Sequence, residues 1–147
     1  MTRSWPTLLL FTAAACVHNS RPDAADLAPL AAYMTDEPSE QGKQPLSVRF
    51  ADRFTATVFK SLKRDARYRI DPTATRLACP SKEAEGPQGY LLRVDVTKVM
   101  GDTAIVTTRR MCSGPGMITY GENYLLIRRI GRWRLETVIS GFTNQSM

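Results

Sequence analysis

The sequence predicts an α+β domain in which an amphipathic helix packs on an antiparallel sheet of about four strands. Two observations carry this. Between Leu46 and about Ala66, the residues Leu46, Phe50, Phe54, Val58 and Leu62 recur every four positions, and Ala51 and Phe59 widen the same apolar stripe, which is a helical period. From Tyr90 onward the period changes to β-branched and aromatic runs separated by short Gly-bearing connections, the pattern of successive hairpins. A helix followed by a meander is an α+β layout. The 147 residues, 43% hydrophobic and 23% charged, suffice for one core and exclude collagen, coiled-coil and multi-span membrane classes.

The chain opens on Met1-Thr2-Arg3, an apolar run from Trp5 to Ala15, and three small residues, Ala13-Ala14-Ala15, immediately before Cys16. That order is the layout of a bacterial secretory signal, so residues 1–15 are expected to be a signal peptide. The run is shorter than the roughly 20 apolar residues a spanning helix needs. Ala13-Ala14-Ala15-Cys16 resembles the lipobox of bacterial lipoproteins, whose cysteine is diacylated and becomes the first mature residue. The resemblance implies lipidation of Cys16, a membrane anchor, and a place on the periplasmic side of the cell envelope. Ala13 departs from the leucine that family prefers. Ordinary signal peptidase would cut at the same bond, so either route makes Cys16 the mature start.

Residues 16–45 are rich in Ala, Pro, Asp, Glu and Ser and read as a flexible tether, with room for a short helix over 29–34 that places Pro29 in its first turn. The folded domain is expected over 46–147. On its helix, Arg49, Asp52, Arg53, Lys60 and Lys63 share the arc opposite the apolar stripe and are expected to be solvated. Strands are expected at 90–99, 103–112, 118–130 and 132–140, joined by Gly101-Asp102, Ser113-Gly114-Pro115-Gly116 and Gly131-Arg132.

The stretches Gly101 to Val106, Glu122 to Ile127 and Gly131 to Leu135 resemble the last hairpins of the nuclear transport factor two superfamily. A cystatin-like helix and sheet gives a nearly identical pattern. The resemblance spans roughly residues 46–142 and rests on pattern and order. It implies a curved sheet wrapped around the helix as a cone, whose mouth is a pocket in some members and filled core in others, and it allows a homodimer through the open sheet face.

The chain has three cysteines. With Cys16 lipidated in an oxidising compartment, Cys79 and Cys112 are left to pair, closing a 34-residue loop worth about 4 kcal/mol on the chain-entropy model. Neither the cysteines nor the single histidine, His18, has metal-ligand spacing, and no cofactor fingerprint is present. His18 lies in the tether, where it cannot be oriented against a nucleophile. A Gly101-Asp102 turn would set Asp95 opposite Thr108 and Arg93 opposite Arg110, leaving Asp95 a counter-ion between arginines rather than a base. A Gly131-Arg132 turn would set Arg129 opposite Arg134, with Arg128 on the other face beside Leu135, in register with Tyr124, Leu126, Ile130, Trp133 and Ile139.

Residues 45–147 hold 17 Lys and Arg against 9 Asp and Glu, so the folded part is basic. Export argues against nucleic acid. The sharper reading of the arginines is an anion-recognising patch from Arg109, Arg110, Arg128, Arg129, Arg132 and Arg134, because the guanidinium fork suits carboxylate and phosphate. The function expected is therefore a non-catalytic, lipid-anchored envelope domain that recognises a protein or an anionic envelope component, an immunity-type inhibitor being one form of that role. The alternative is a small-molecule binder or polyketide-cyclase-like enzyme using the cone interior, with Tyr124, Arg128 and Asp95 as its polar groups.

Overall fold

The structure, a computed structural model, describes residues 20–35, 45–64 and 67–146. The expected signal segment, Cys16 and His18 lie outside them. The domain is α+β: helix α1 (Ala24–Thr35), strand β1 (Leu46–Phe50), helix α2 (Arg53–Val58), a 3-10 turn (Lys60–Arg64), and strands β2 (Tyr68–Ile70), β3 (Gly89–Met100), β4 (Thr103–Ser113), β5 (Met117–Arg129) and β6 (Arg132–Ser146). They build a six-stranded mixed sheet rather than one of about four strands, in the order β2-β1-β3-β4-β5-β6. Strand β1 is parallel to both of its neighbours, and the other pairs are antiparallel.

The four C-terminal strands fall where the β-branched runs are. The expected long helix does not form over 46–66. Leu46 and Phe50 fit a period of four and a period of two equally, and Val48 between them decides for two: it is 1% exposed, while Arg49 points to solvent. Asp52 then stops the strand and caps α2, its Oδ1 accepting from the Thr55 N–H at 2.7 Å. Because β1 and the helix divide the segment, the polar arc does not exist as one face. Arg49 instead donates to the Ala74 carbonyl at 3.1 Å from its strand, and Arg53 and Lys60 are exposed.

The boundary expected at residue 46 falls inside the packed unit. Helix α1 lies in what reads as tether, yet Leu27, Leu30, Ala31 and Met34, at helical spacing, are among the most buried residues of the molecule. Pro29 sits in mid-helix rather than in the first turn; it cannot donate to the Ala25 carbonyl, but both residues are on the exposed side, where water takes the carbonyl. A reciprocal cap starts the helix, the Asp26 N–H bonding Asp23 Oδ1 at 2.9 Å and the Asp23 N–H bonding Asp26 Oδ2 at 3.1 Å. Four further bonds fasten this segment to the sheet: Trp133 Nε1 to the Ser20 carbonyl at 3.0 Å, Arg21 to the Val96 carbonyl at 2.6 Å, Tyr68 Oη to the Thr35 carbonyl at 2.5 Å, and Arg110 to the Met34 carbonyl at 3.4 Å.

Beneath α1 and α2 the core gathers Val48, Val58, Phe59, Leu92, Val94, Val106, Tyr124, Leu126 and Trp133, with Phe50 stacked on Phe59 at 5.7 Å. Cys79 and Cys112 form a disulfide that ties the irregular segment before β3 to β4. Truncating Leu30 to Ala is expected to cost about 2–5 kcal/mol, the range for a fully buried leucine. Urea denaturation of the two proteins measures this; equal midpoints would mean that α1 is tether after all.

Candidate functional site

With one face of the sheet covered by helices, the alternation of side chains sorts the polar residues of β3 to β6 into two populations. The registers decide which goes where. A bulge between Val96 and Lys98 shifts β3 by one residue against β4, so Asp95 pairs with Thr107 and Arg93 with Arg109, not with Thr108 and Arg110 as the turn alone implies. The β5–β6 turn is Ile130-Gly131, both with positive φ (52° and 73°), so Arg129 stands opposite Arg132, Ile127 opposite Arg134, and Arg128 opposite Trp133 rather than Leu135.

The outer face thus holds Arg93, Asp95, Lys98, Arg109, Arg129, Arg132 and Arg134. Asp95 lies between two cations, 2.9 Å from Arg93 Nε and 3.8 Å from Arg109 Nη1, the counter-ion role expected for it although with a different second arginine. Beside it runs a polar ladder in which the Thr107 hydroxyl donates to Asn123 Oδ1 at 2.7 Å and Asn123 Nδ2 donates to Ser140 Oγ at 3.0 Å. Glu136 approaches Arg129 at 3.6 Å. Among the described residues no acidic group pairs with Arg132 or Arg134.

Arg110 and Arg128 point the other way, so the six-arginine patch is divided. Arg110 lies over the Tyr90 ring at 5.6 Å, and Arg128 over the Trp133 ring at 5.6 Å. Arg128 also reaches Asp102 with Nε and Nη2, each 2.9 Å from Oδ1, and its side chain is only 14% exposed. Its stem packs at the border of the core, in register with Tyr124, Leu126 and Trp133 as expected. Ile130 and Ile139 leave that register, the first into the turn and the second at a break in the β5–β6 pairing.

On the helix-facing side, beyond the C-terminal end of α1, an open cleft of about 490 Å³ is lined by Tyr33 and Met34 of α1, Thr108 and Arg110 of β4, Tyr120 and Glu122 of β5, and Thr143 of β6 among others. Tyr124 sits beneath it and donates its phenol to the Glu122 carboxylate. Burial raises the Tyr124 phenol above its ordinary range, the Glu122 hydrogen bond and charge add to this, and Thr108 and Arg110 oppose it. The cleft therefore offers a guanidinium, a carboxylate and aromatic walls together. The aromatics Phe50, Phe59 and Trp133 fill the core under the helices and do not line it.

Two partners escape a reading of the sequence. Glu122 could have been paired with Tyr124 from their i, i+2 spacing on one strand face. Asp102 meets Arg128 only once β3, β4 and β5 lie side by side. Among the described residues no cluster of three or more His, Cys, Asp or Glu is placed to hold a metal, and no helix is long and apolar enough to cross a membrane. No family model, curated protein or solved structure matches the chain significantly, so nothing identifies it as a nuclear transport factor two-like domain.

The raised Tyr124 phenol links stability to pH. The folded state favours the protonated phenol, so this contribution is fully present below the unfolded value of about 10 and is lost as pH rises above it. Denaturation of the parent and of Tyr124→Phe from pH 8 to 11 should show the parent's advantage shrinking above about pH 10. A difference constant across that range would refute the linkage.

Proposed function

We propose that this chain is an exported cell-envelope domain, anchored by lipid on Cys16, that binds an anionic partner, a protein or an envelope component, through the outer face of its sheet. The observation that carries the proposal is the facing of like charges. Arg93 is directly opposite Arg109, and Arg129 is directly opposite Arg132. Cross-strand like-charge pairs are destabilising by up to about 1 kcal/mol each, and Asp95 and Glu136 offset only part of this. An anionic surface laid across the face relieves the remainder, and guanidinium forks on a rigid sheet recognise carboxylate or phosphate with little loss of side-chain freedom. The disulfide is compatible with export into an oxidising compartment. An immunity-type inhibitor is one form such a domain takes.

Purification from the native envelope in mild detergent, followed by native and denatured mass measurement, tests this reading. The expected result is an acylated chain with a co-purifying acidic partner. Charge reversal at Arg93 and Arg109 together is expected to weaken capture at least ten-fold without unfolding the exposed face. Undiminished capture would sink the assignment of that face.

The cleft favours a second reading, a small-molecule site in the interior of a cone-like fold. A volume of about 490 Å³ with Arg110, Glu122 and Tyr120 converging on it suits a small ligand carrying an acidic group on an aromatic or apolar body. A small molecule retained through purification and lost from Arg110→Ala would bring this reading forward; an empty cleft in both proteins would count against it.

A further inference from the structure

Ile130 is an anomaly of the surface. It is 100% exposed, and its φ of 52° is a left-handed conformation that β-branched residues rarely occupy. Water gains nothing from such a side chain, and the two-residue turn would be relaxed by Asn or Gly at the same place. A strained, fully displayed apolar residue calls for a function at the tip.

The neighbouring β3–β4 turn stands beside it. Arg128 joins the two turns, its N–H donating to the Asp102 carbonyl at 2.8 Å and its guanidinium engaging the Asp102 carboxylate, so they form one end of the sheet. That turn contributes a second displayed apolar residue, Met100, 48% exposed. Arg129, Arg132 and Arg134 lie on the outer face of the β5–β6 hairpin that carries Ile130, and Lys98 is on the same face of the strand that carries Met100. Displayed apolar residues flanked on one face by arginines match an anionic bilayer: the side chains reach the acyl boundary while the guanidinium groups meet phosphates.

The path of the chain supports the same occupant. Trp133, next to Arg132 in this hairpin, holds the Ser20 carbonyl at 3.0 Å, so the N-terminal segment arrives at this end of the sheet. Cys16 is four residues earlier, and four residues span at most about 14 Å. A lipid on Cys16 would therefore enter the bilayer close to the tip. We propose that the paired turns are a docking tip for an anionic bilayer, with Ile130 and Met100 inserted and Arg129, Arg132 and Arg134 on lipid phosphates. The orientation argument rests on the lipid-anchor reading of Cys16; the affinity of the tip itself does not.

The test uses the mature chain, residues 16–147, with Cys16→Ser, carrying an environment-sensitive fluorophore either on Ile130→Cys or on Lys82→Cys, an exposed position at the opposite end of the sheet. Vesicles of phosphatidylglycerol and phosphatidylethanolamine should shift the emission of the residue-130 probe to the blue. Spin-labelled lipid should quench it, salt should reverse the shift, and the residue-82 probe should not respond. Replacing Arg129, Arg132 and Arg134 by Gln should lower partitioning of the tip by about five-fold per arginine. An aqueous emission at residue 130 on anionic vesicles, equal insertion into neutral phosphatidylcholine, or an equal response at residue 82 would each overturn the proposal. Because Cys16 is replaced throughout, insertion at 130 stands even if mass measurement finds Cys16 unmodified, and its failure leaves the anchor reading intact.

Discussion

The alternation of side chains along four antiparallel strands, with one face closed by helices, is the constraint on which the chemistry of this molecule depends. Every arginine of β3 to β6 must go to one face or the other, and a single inserted residue changes the assignment. The bulge after Val96 is that residue. It sets Arg93 and Asp95 on the outer face with Arg109, while Arg110, on the other face of β4, lies among Tyr90, Met34 and the cleft. Without it, Asp95 would lie diagonal to the wrong arginine, and the outer polar ladder of Thr107, Asn123 and Ser140 would lose its alignment with the ion pairs.

A second constraint works at the other side of the sheet. Strand β1 runs parallel to β3 and meets it at Ser47 opposite Gly89, where a Cβ would lie 1.7 Å from the Ser47 carbonyl oxygen. Only glycine permits that approach, and through it β1 and β2 join a sheet that would otherwise end at β3. The same join brings Val48 under the helices and sets Tyr68 where its hydroxyl reaches the end of α1. The N-terminal segment is thus held from two directions, by β2 at one end and by Trp133 at the other, and it closes the core that the meander leaves open.

Charge and packing divide the labour between the two faces. On the helix-facing side, Arg110 and Arg128 each lie over an aromatic ring and bond a carbonyl or carboxylate. Outside, arginines face arginines with too few acids between them, and the excess grows toward the hairpin end where Ile130 is displayed. Protein interiors do not tolerate unpaired charge, whereas a surface that meets an anionic partner is improved by it.

The sequence by itself determined the four C-terminal strands, the α+β class, the pairing of Cys79 with Cys112 and the basic balance of the folded part, because each follows from local period, turn residues or counting. It also pointed to Asp95 as a counter-ion and Arg128 as a packed border residue. It misassigned residues 46–50 because Leu46 and Phe50 satisfy two periods at once, and it allowed only a short helix over 29–34 inside a tether, short of the packed α1, because Pro29 and the acidic composition mask an apolar stripe of only four residues. Registers were beyond it: Ile130 at a turn position runs against residue preference, and a bulge leaves no local mark. Which arginines share a face, which acids they meet, and where the cleft opens were decided only by the tertiary structure, since these depend on strands aligned across long stretches of chain and on one helix chosen to cover one side.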